Sequence, residues 1–209
     1  MENDAPQKVR CGSVGKHRKI EDTGERIRAL INEDDRAADC IWNVHAGLFA
    51  YASQKLGEIA DTIVDIDNAN KWGFVHELGP FEIWDAVGVA ETLPRMADDG
   101  YEAAGWVQEM LDSGHPTFYE RDDKGIVTGY YDPNKGGYVP LERDEKVIIL
   151  DDLRANGKEI ERNDGASILD LGDGVALLEF HSKLNSIDPD IMQMTFRALE
   201  LLETDFDGL

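Results

Sequence analysis

The sequence is poor in cysteine. Cys11 and Cys40 are its only two, which excludes a disulfide framework and a cysteine-based metal cluster and fits a reducing compartment. It is also poor in cations. Lys and Arg number 21 against 43 Asp and Glu, for a formal net charge of -22. Phosphate backbones are bound by clustered cations, so nucleic acid is not an expected partner. No apolar run approaches a membrane span, and the opening MENDAPQKVR has no apolar signal core. The expected location is the cytoplasm, with no membrane partner. Gly-x-Gly-x-x-Gly is missing as well, and with it the turn that holds a dinucleotide pyrophosphate. His45, His76 and His181 share no metal-ligand spacing. The Asp pairs at 34–35, 98–99, 122–123 and 151–152 lack the alternating oxygen ligands of a calcium loop, so they read as solvated surface.

What remains is 209 residues that are 42% hydrophobic with four Trp, enough for one domain or two small folded pieces. Acidic residues are spread along the whole chain. A protein adapted to high salt has this texture, because salt screens the self-repulsion of a hydrated acidic surface. The one basic run, Lys16-His17-Arg18-Lys19, reads as a solvated tail.

The stretch 68–89 organises the chain. It holds Trp72, Phe74, Phe81 and Trp84 with Gly73, Gly79 and Gly88, so we expect it to supply the core. Gly79-Pro80 marks a helix start, since proline lacks only an N–H that a first turn does not need. Phe81, Trp84 and Gly88 then share a face, with Ile83 and Val87 beside it. Before it, residues 1–32 read as loosely structured apart from a short helix at 25–32. Asp34 or Asp35 caps a helix reaching about Ile59 through Ile41, Val44, His45, Leu48, Phe49, Ala52 and Leu56. A second runs from about Ile59 to Trp72, with Asp61, Asp65 and Asp67 off its apolar stripe. Two further helices lie at 92–96 and 103–111, and His115-Pro116 closes the helical part.

From Thr117 the texture changes. Turns at Asp122-Asp123-Lys124-Gly125, 132–137, Asn156-Gly157 and Asn163-Asp164-Gly165 punctuate short strands, one of them Lys146 to Leu150. Residues 168–171 and 175–180 form a hairpin about Gly172-Asp173-Gly174. Asp188-Pro189 opens a helix whose stripe is Ile191, Met194, Ala198, Leu199 and Leu202.

These residues carry two resemblances. Trp-Gly-Phe, then Gly79-Pro80-Phe81-Glu82, then Asp85 and Gly88, resembles the C-terminal helical domain of 3-hydroxyacyl-CoA dehydrogenases. Residues 174–180, the loop His181-Ser182-Lys183-Leu184-Asn185-Ser186 and the helix from Pro189 resemble the opening of the crotonase (enoyl-CoA hydratase) fold, with His181-Ser182 where that family has Arg-Pro. Together they resemble fused dehydrogenase–hydratase proteins. The implied fold class is mainly α. It comprises a loose segment 1–32, a helical dehydrogenase C-terminal-like bundle at 33–116, a β-rich connector at 117–166, and the hairpin and helix that open a crotonase domain at 167–209.

The resemblance implies NAD and a CoA thioester as cofactor and substrate of a complete β-oxidation enzyme. Its NAD loop, catalytic His–Glu pair and hydratase glutamates fall in parts that this sequence lacks, so no catalytic residue is assigned. Lys183, Leu184 and Asn185 are the implied CoA-contacting residues, Lys183 as a neutraliser of phosphate; the plainer reading makes Asn185 a cap. His45 reads as a core histidine. His76 beside Glu77 does not read as an acid–base pair, because adjacent side chains do not converge on one substrate. The implied partners are the missing Rossmann and crotonase parts or another subunit, or a second copy of the chain. The alternative is a non-catalytic helical module that assembles with partner chains. The crotonase resemblance implies that the tail helix alone leaves an apolar face uncovered and that the chain self-associates.

Overall fold

The computed structural model describes residues 10–144, 146–182, 184 and 186–209. The chain forms two compact units, one of residues up to 120 with 127–141, the other of 121–126 with 142–209.

The first unit is a helical bundle. Helices α1 (Gly12–His17) and α2 (Thr23–Ile31) occupy the segment expected to be loose. Asp22 caps α2 through the N–H of Glu25. Asp35 caps α3 (Arg36–Lys55) and also accepts the N–H and hydroxyl of Ser13, which ties α1 to the bundle. In the basic run Lys16 and His17 both reach Glu33, which lowers the pKa of that carboxyl, while Arg18 and Lys19 are exposed as a solvated run would be. Then come α4 (Ile63–Phe74), α5 (Pro80–Val87), α6 (Val89–Asp98) and α7 (Gly105–Asp112). Helix α5 is the hub, packed on α2, α3, α4 and α6. Trp84 stacks on Phe49 of α3 at 4.9 Å, and Phe118 closes on both Phe81 and Trp84. Small residues Ala46, Ala50 and Ala52 let α3 approach closely. A sheet in the order β1 (Tyr119–Arg121), β2 (Val127–Asp132), β3 (Gly137–Pro140) completes the unit.

The second unit stacks helix α9 (Pro189–Leu202) on a sheet in the order β4 (Glu159–Arg162), β5 (Ala166–Gly172), β6 (Val175–Phe180), with α8 (Leu150–Ala155) against β5. Asp188 caps α9 as its sequence indicates, and the hairpin turns at 172–174. Ala166, Ile168 and Ala176 of the sheet meet Ile191, Met194, Ala198 and Leu201 of α9.

Four expectations need correction. Trp72 and Phe74 are 78% and 72% exposed, so only half of the aromatic stretch is core. Asp67, placed off the apolar stripe, is fully buried. Residues 147–149 are not a strand and leave Val147, Ile148 and Ile149 exposed ahead of α8. The buried stripe of α9 uses Leu201 and leaves Leu199 exposed, because a helix of 3.6 residues per turn carries Ile191, Met194, Ala198 and Leu201 on one side. The opposite side of α9 shows Met192, Phe196 and Leu199 to solvent, the uncovered apolar face that was expected.

Candidate functional site

The Gly-Pro-Phe-Glu segment builds a polar knot beneath the bundle. Residues Ile63, Ile66, Asp67 and Asn70 lie on one side of α4. That spacing sends the carboxylate of Asp67 inward against the first turn of α5. Its Oδ1 accepts the N–H of Phe81 at 2.9 Å, and its Oδ2 accepts the N–H of Glu82 at 3.1 Å and the hydroxyl of Tyr119 at 2.7 Å. First-turn N–H groups have no partner within their own helix, so a buried carboxylate from a neighbouring helix satisfies them. Glycine is required at 79 for space: a Cβ there would lie 2.3 to 2.4 Å from Asp67, its backbone Cα included. Glu82 accepts the N–H of Gly79 at 2.8 Å and pairs with Lys71 at 2.6 Å. Asp85, one turn on, accepts the N–H groups of Phe118 and Tyr119 at 2.7 and 2.9 Å. Burial pushes the Asp67 carboxyl up to about 7 against the pull of its three donors, and burial together with Asp67 raises the Tyr119 phenol. Every polar residue of the motif is thus spent on holding α4, α5 and β1 together. Asp67 is fully buried, whereas the Glu82 and Lys71 side chains keep 18% and 25% of their surface exposed.

A second feature is open. A groove of about 500 Å³ runs between α3 and α4. Leu48, Tyr51 and Ala52 form one wall, Ile66, Ala69 and Phe74 the other, and Ile59 of the connecting loop stands at the edge. Its charged lining is Lys55, Asp61 and Asp65. Reading α3 and α4 as amphipathic helices missed it, because each was assigned a single apolar side. The signal was present: Val44, Leu48 and Tyr51 recur at helical spacing away from Trp42, Ala46 and Phe49.

Of the residues assigned to CoA, Lys183 and Asn185 lie outside the described residues. Leu184 is exposed and has a φ of 61°. His181 is hydrogen-bonded to Ser167 at 3.1 Å. His45 packs in the bundle with Nδ1 2.7 Å from the carbonyl of Ile41, and burial lowers its pKa, as a core histidine requires. The rings of His76 and Phe74 lie 5.8 Å apart, whereas Glu77 accepts the hydroxyl of Thr23. Among the described residues no group of three His, Cys, Asp or Glu side chains is arranged to hold a metal. Nor do they fit the NAD that the resemblance implies: the described strands form hairpins, and the Gly172–Gly174 turn leads from β5 into β6, not into a helix. No helix among the described residues is long and apolar enough to cross a membrane.

Over 202 residues, 97% of its length, the chain is 42% identical to a probable 3-hydroxyacyl-CoA dehydrogenase of Bacillus subtilis. The chain spans about a quarter of that protein's length (25%). No family model matches the chain, and no solved structure matches it.

Proposed function

We propose that this chain serves a 3-hydroxyacyl-CoA dehydrogenase as a helical and β-rich assembly part, supplying acyl-CoA-site cover and contacts between domains or subunits. The similarity over nearly the whole chain to one quarter of the Bacillus subtilis protein carries this reading. The polar bonding around the Gly-Pro-Phe-Glu segment supports it: Asp67, Glu82 and Asp85 fasten elements of the bundle to one another. In this reading NAD is held by a Rossmann part and not by the residues described above. The tail is the opening of a hydratase part of the crotonase type, Lys183, Leu184 and Asn185 lie near CoA, and the assembly works in the cytoplasm. The exposed side of α9 is compatible with such a continuation. A second reading, a non-catalytic helical module assembling with partner chains, is favoured by the open α3–α4 groove.

One graft tests the first reading. The chain replaces the matching residues of the Bacillus subtilis relative, and NADH oxidation with acetoacetyl-CoA is measured. Activity of the chimera within about tenfold of the parent is expected, since the knot that positions α5 is internal to the chain. A folded chimera without activity overturns the reading. The chain alone should show no turnover. The dispersed acidity supports adaptation to high salt; a midpoint of urea unfolding that stays flat between low and molar KCl would sink that idea.

A further inference from the structure

Helix α3 carries two apolar sides. Trp42, Ala46, Phe49 and Ser53 are buried in the bundle, whereas Val44 and Tyr51 are more than half exposed on the other side. Tyr51 leads into the α3–α4 groove, where Ile59 and Phe74 are also exposed, so the groove has an apolar rim as well as an apolar floor. Contiguous exposed apolar surface of this kind marks a contact site on a soluble domain. Two neighbouring helices with a trough between them offer the geometry that receives a third helix.

Charge narrows the occupant. Lys55, the only cation lining the groove among the described residues, is neutralised by both oxygens of Glu58 at 2.7 and 2.8 Å. Two carboxylates remain at the mouth. Asp65 accepts the hydroxyl of Thr62, and Asp61 has no hydrogen bond or ion pair among the described residues. A fatty acid or other anionic amphiphile would bring its head to these carboxylates with no free cation among the described lining residues to meet it. A second copy related by a two-fold axis would set acidic rim against acidic rim, on a chain that already carries -22. We infer that the α3–α4 groove docks an amphipathic helix of a partner, its apolar side seated on Tyr51, Ile59 and Phe74 and a flanking lysine or arginine placed against Asp61 and Asp65. The inference stands on this unit's geometry and is independent of the dehydrogenase reading.

The test uses fluorescence anisotropy with the full chain and a labelled synthetic Leu/Lys amphipathic helix of about five turns. A Ser/Lys peptide of equal charge and a Leu/Glu helix serve as comparisons. The Leu/Lys helix should bind at least about tenfold tighter than either, since only it offers both an apolar side and cations. Tyr51→Ser with Ile59→Ser should weaken it about tenfold or more, as expected for two apolar anchors lost. Asp61→Lys should weaken it about threefold to fivefold and flatten its salt dependence. Circular dichroism and urea midpoints check that each variant is folded, and Asp61→Lys, at an unpartnered position, decides the matter if the double variant is not. Equal binding of the Ser/Lys peptide reduces the effect to bulk charge and overturns the inference. Displacement of the helix by palmitate, or a dimer in sedimentation that Tyr51→Ser dissolves, overturns it in favour of a small amphiphile or a second copy.

Discussion

The stretch 68–89 contains two aromatic pairs of nearly the same composition and opposite fate. Phe81 and Trp84 are fully buried, whereas Trp72 and Phe74 stand in solvent at the end of α4. Hydrophobicity does not separate them. What separates them is which side of Val75 they occupy and what anchors their helix. Val75 takes a left-handed backbone at φ 58°, which ends α4 and turns the chain. Beyond the turn, Asp67 grips the first turn of α5 and Asp85 grips Phe118 and Tyr119, so Phe81 and Trp84 are held inward by polar bonds at both ends. Before it, Trp72 and Phe74 sit on the anchored α4 itself, and among the described residues no polar bond turns their side chains toward the bundle. In this unit the buried carboxylate of Asp67 and the half-buried one of Asp85 help decide which aromatics become core.

The comparison breaks most directly at Trp84. Its ring stacks on Phe49, lies 5.2 Å from Phe118, and donates its indole N–H to Thr92 at 2.9 Å. Trp84→Ala removes these contacts from a site closed on every side and should cost about 3–5 kcal/mol by urea unfolding. A loss below about 1 kcal/mol would mean that the bundle collapses into the space, and that α5 is not the hub described.

The anchor comes next. Asp67→Ala leaves the N–H groups of Phe81 and Glu82 and the Tyr119 hydroxyl buried without their acceptor. At about 1–3 kcal/mol for an unsatisfied buried group, with partial relaxation, a loss of about 2–4 kcal/mol is expected. Asp67→Asn sharpens the point through pH. The carboxyl is raised from 3.8 to about 7 in the fold, so the native state retains a proton that the unfolded state has released. Its stabilising contribution is complete below about pH 4, declines as pH rises and is gone above about 7. The urea midpoint of the parent should therefore fall between pH 5 and pH 8 relative to Asp67→Asn. His45, whose pKa is lowered, pulls the other way as its unfolded form loses charge, but it does so equally in both proteins. A difference that stays constant across this range refutes the protonation of Asp67.

Much of this was legible in the sequence where local rules act alone. Asp188-Pro189, Asp35 and the Gly-containing turns define their elements through capping and backbone geometry, which need no distant partner. The dehydrogenase resemblance includes Gly79, Glu82 and Asp85, and the structure shows what each does in this chain: one is short for space and two are acceptors for particular N–H groups. What failed depended on partners far along the chain. Asp67 reads as lying off the apolar stripe until its donors on α5 and β1 are known. The β-branched run 147–149 looks like a strand, but propensity in a short segment yields to whatever surface there is to pair with. The groove was hidden because one buried side sufficed to explain α3.

The smallest expected effect lies at the other pole of the comparison. Trp72 is 78% exposed and so recovers little burial free energy on folding. Trp72→Ser should change stability by no more than about 0.5 kcal/mol, the range of ordinary surface substitutions, against several kcal/mol at Trp84. A larger loss would mean that the indole is covered in solution by something other than this unit, and the concentration dependence of the urea midpoint identifies it. If the loss grows with protein concentration, a second copy covers Trp72 and binding is linked to folding. If it is independent of concentration, the indole finds its cover within the chain, and the contrast between the two aromatic pairs is one of degree.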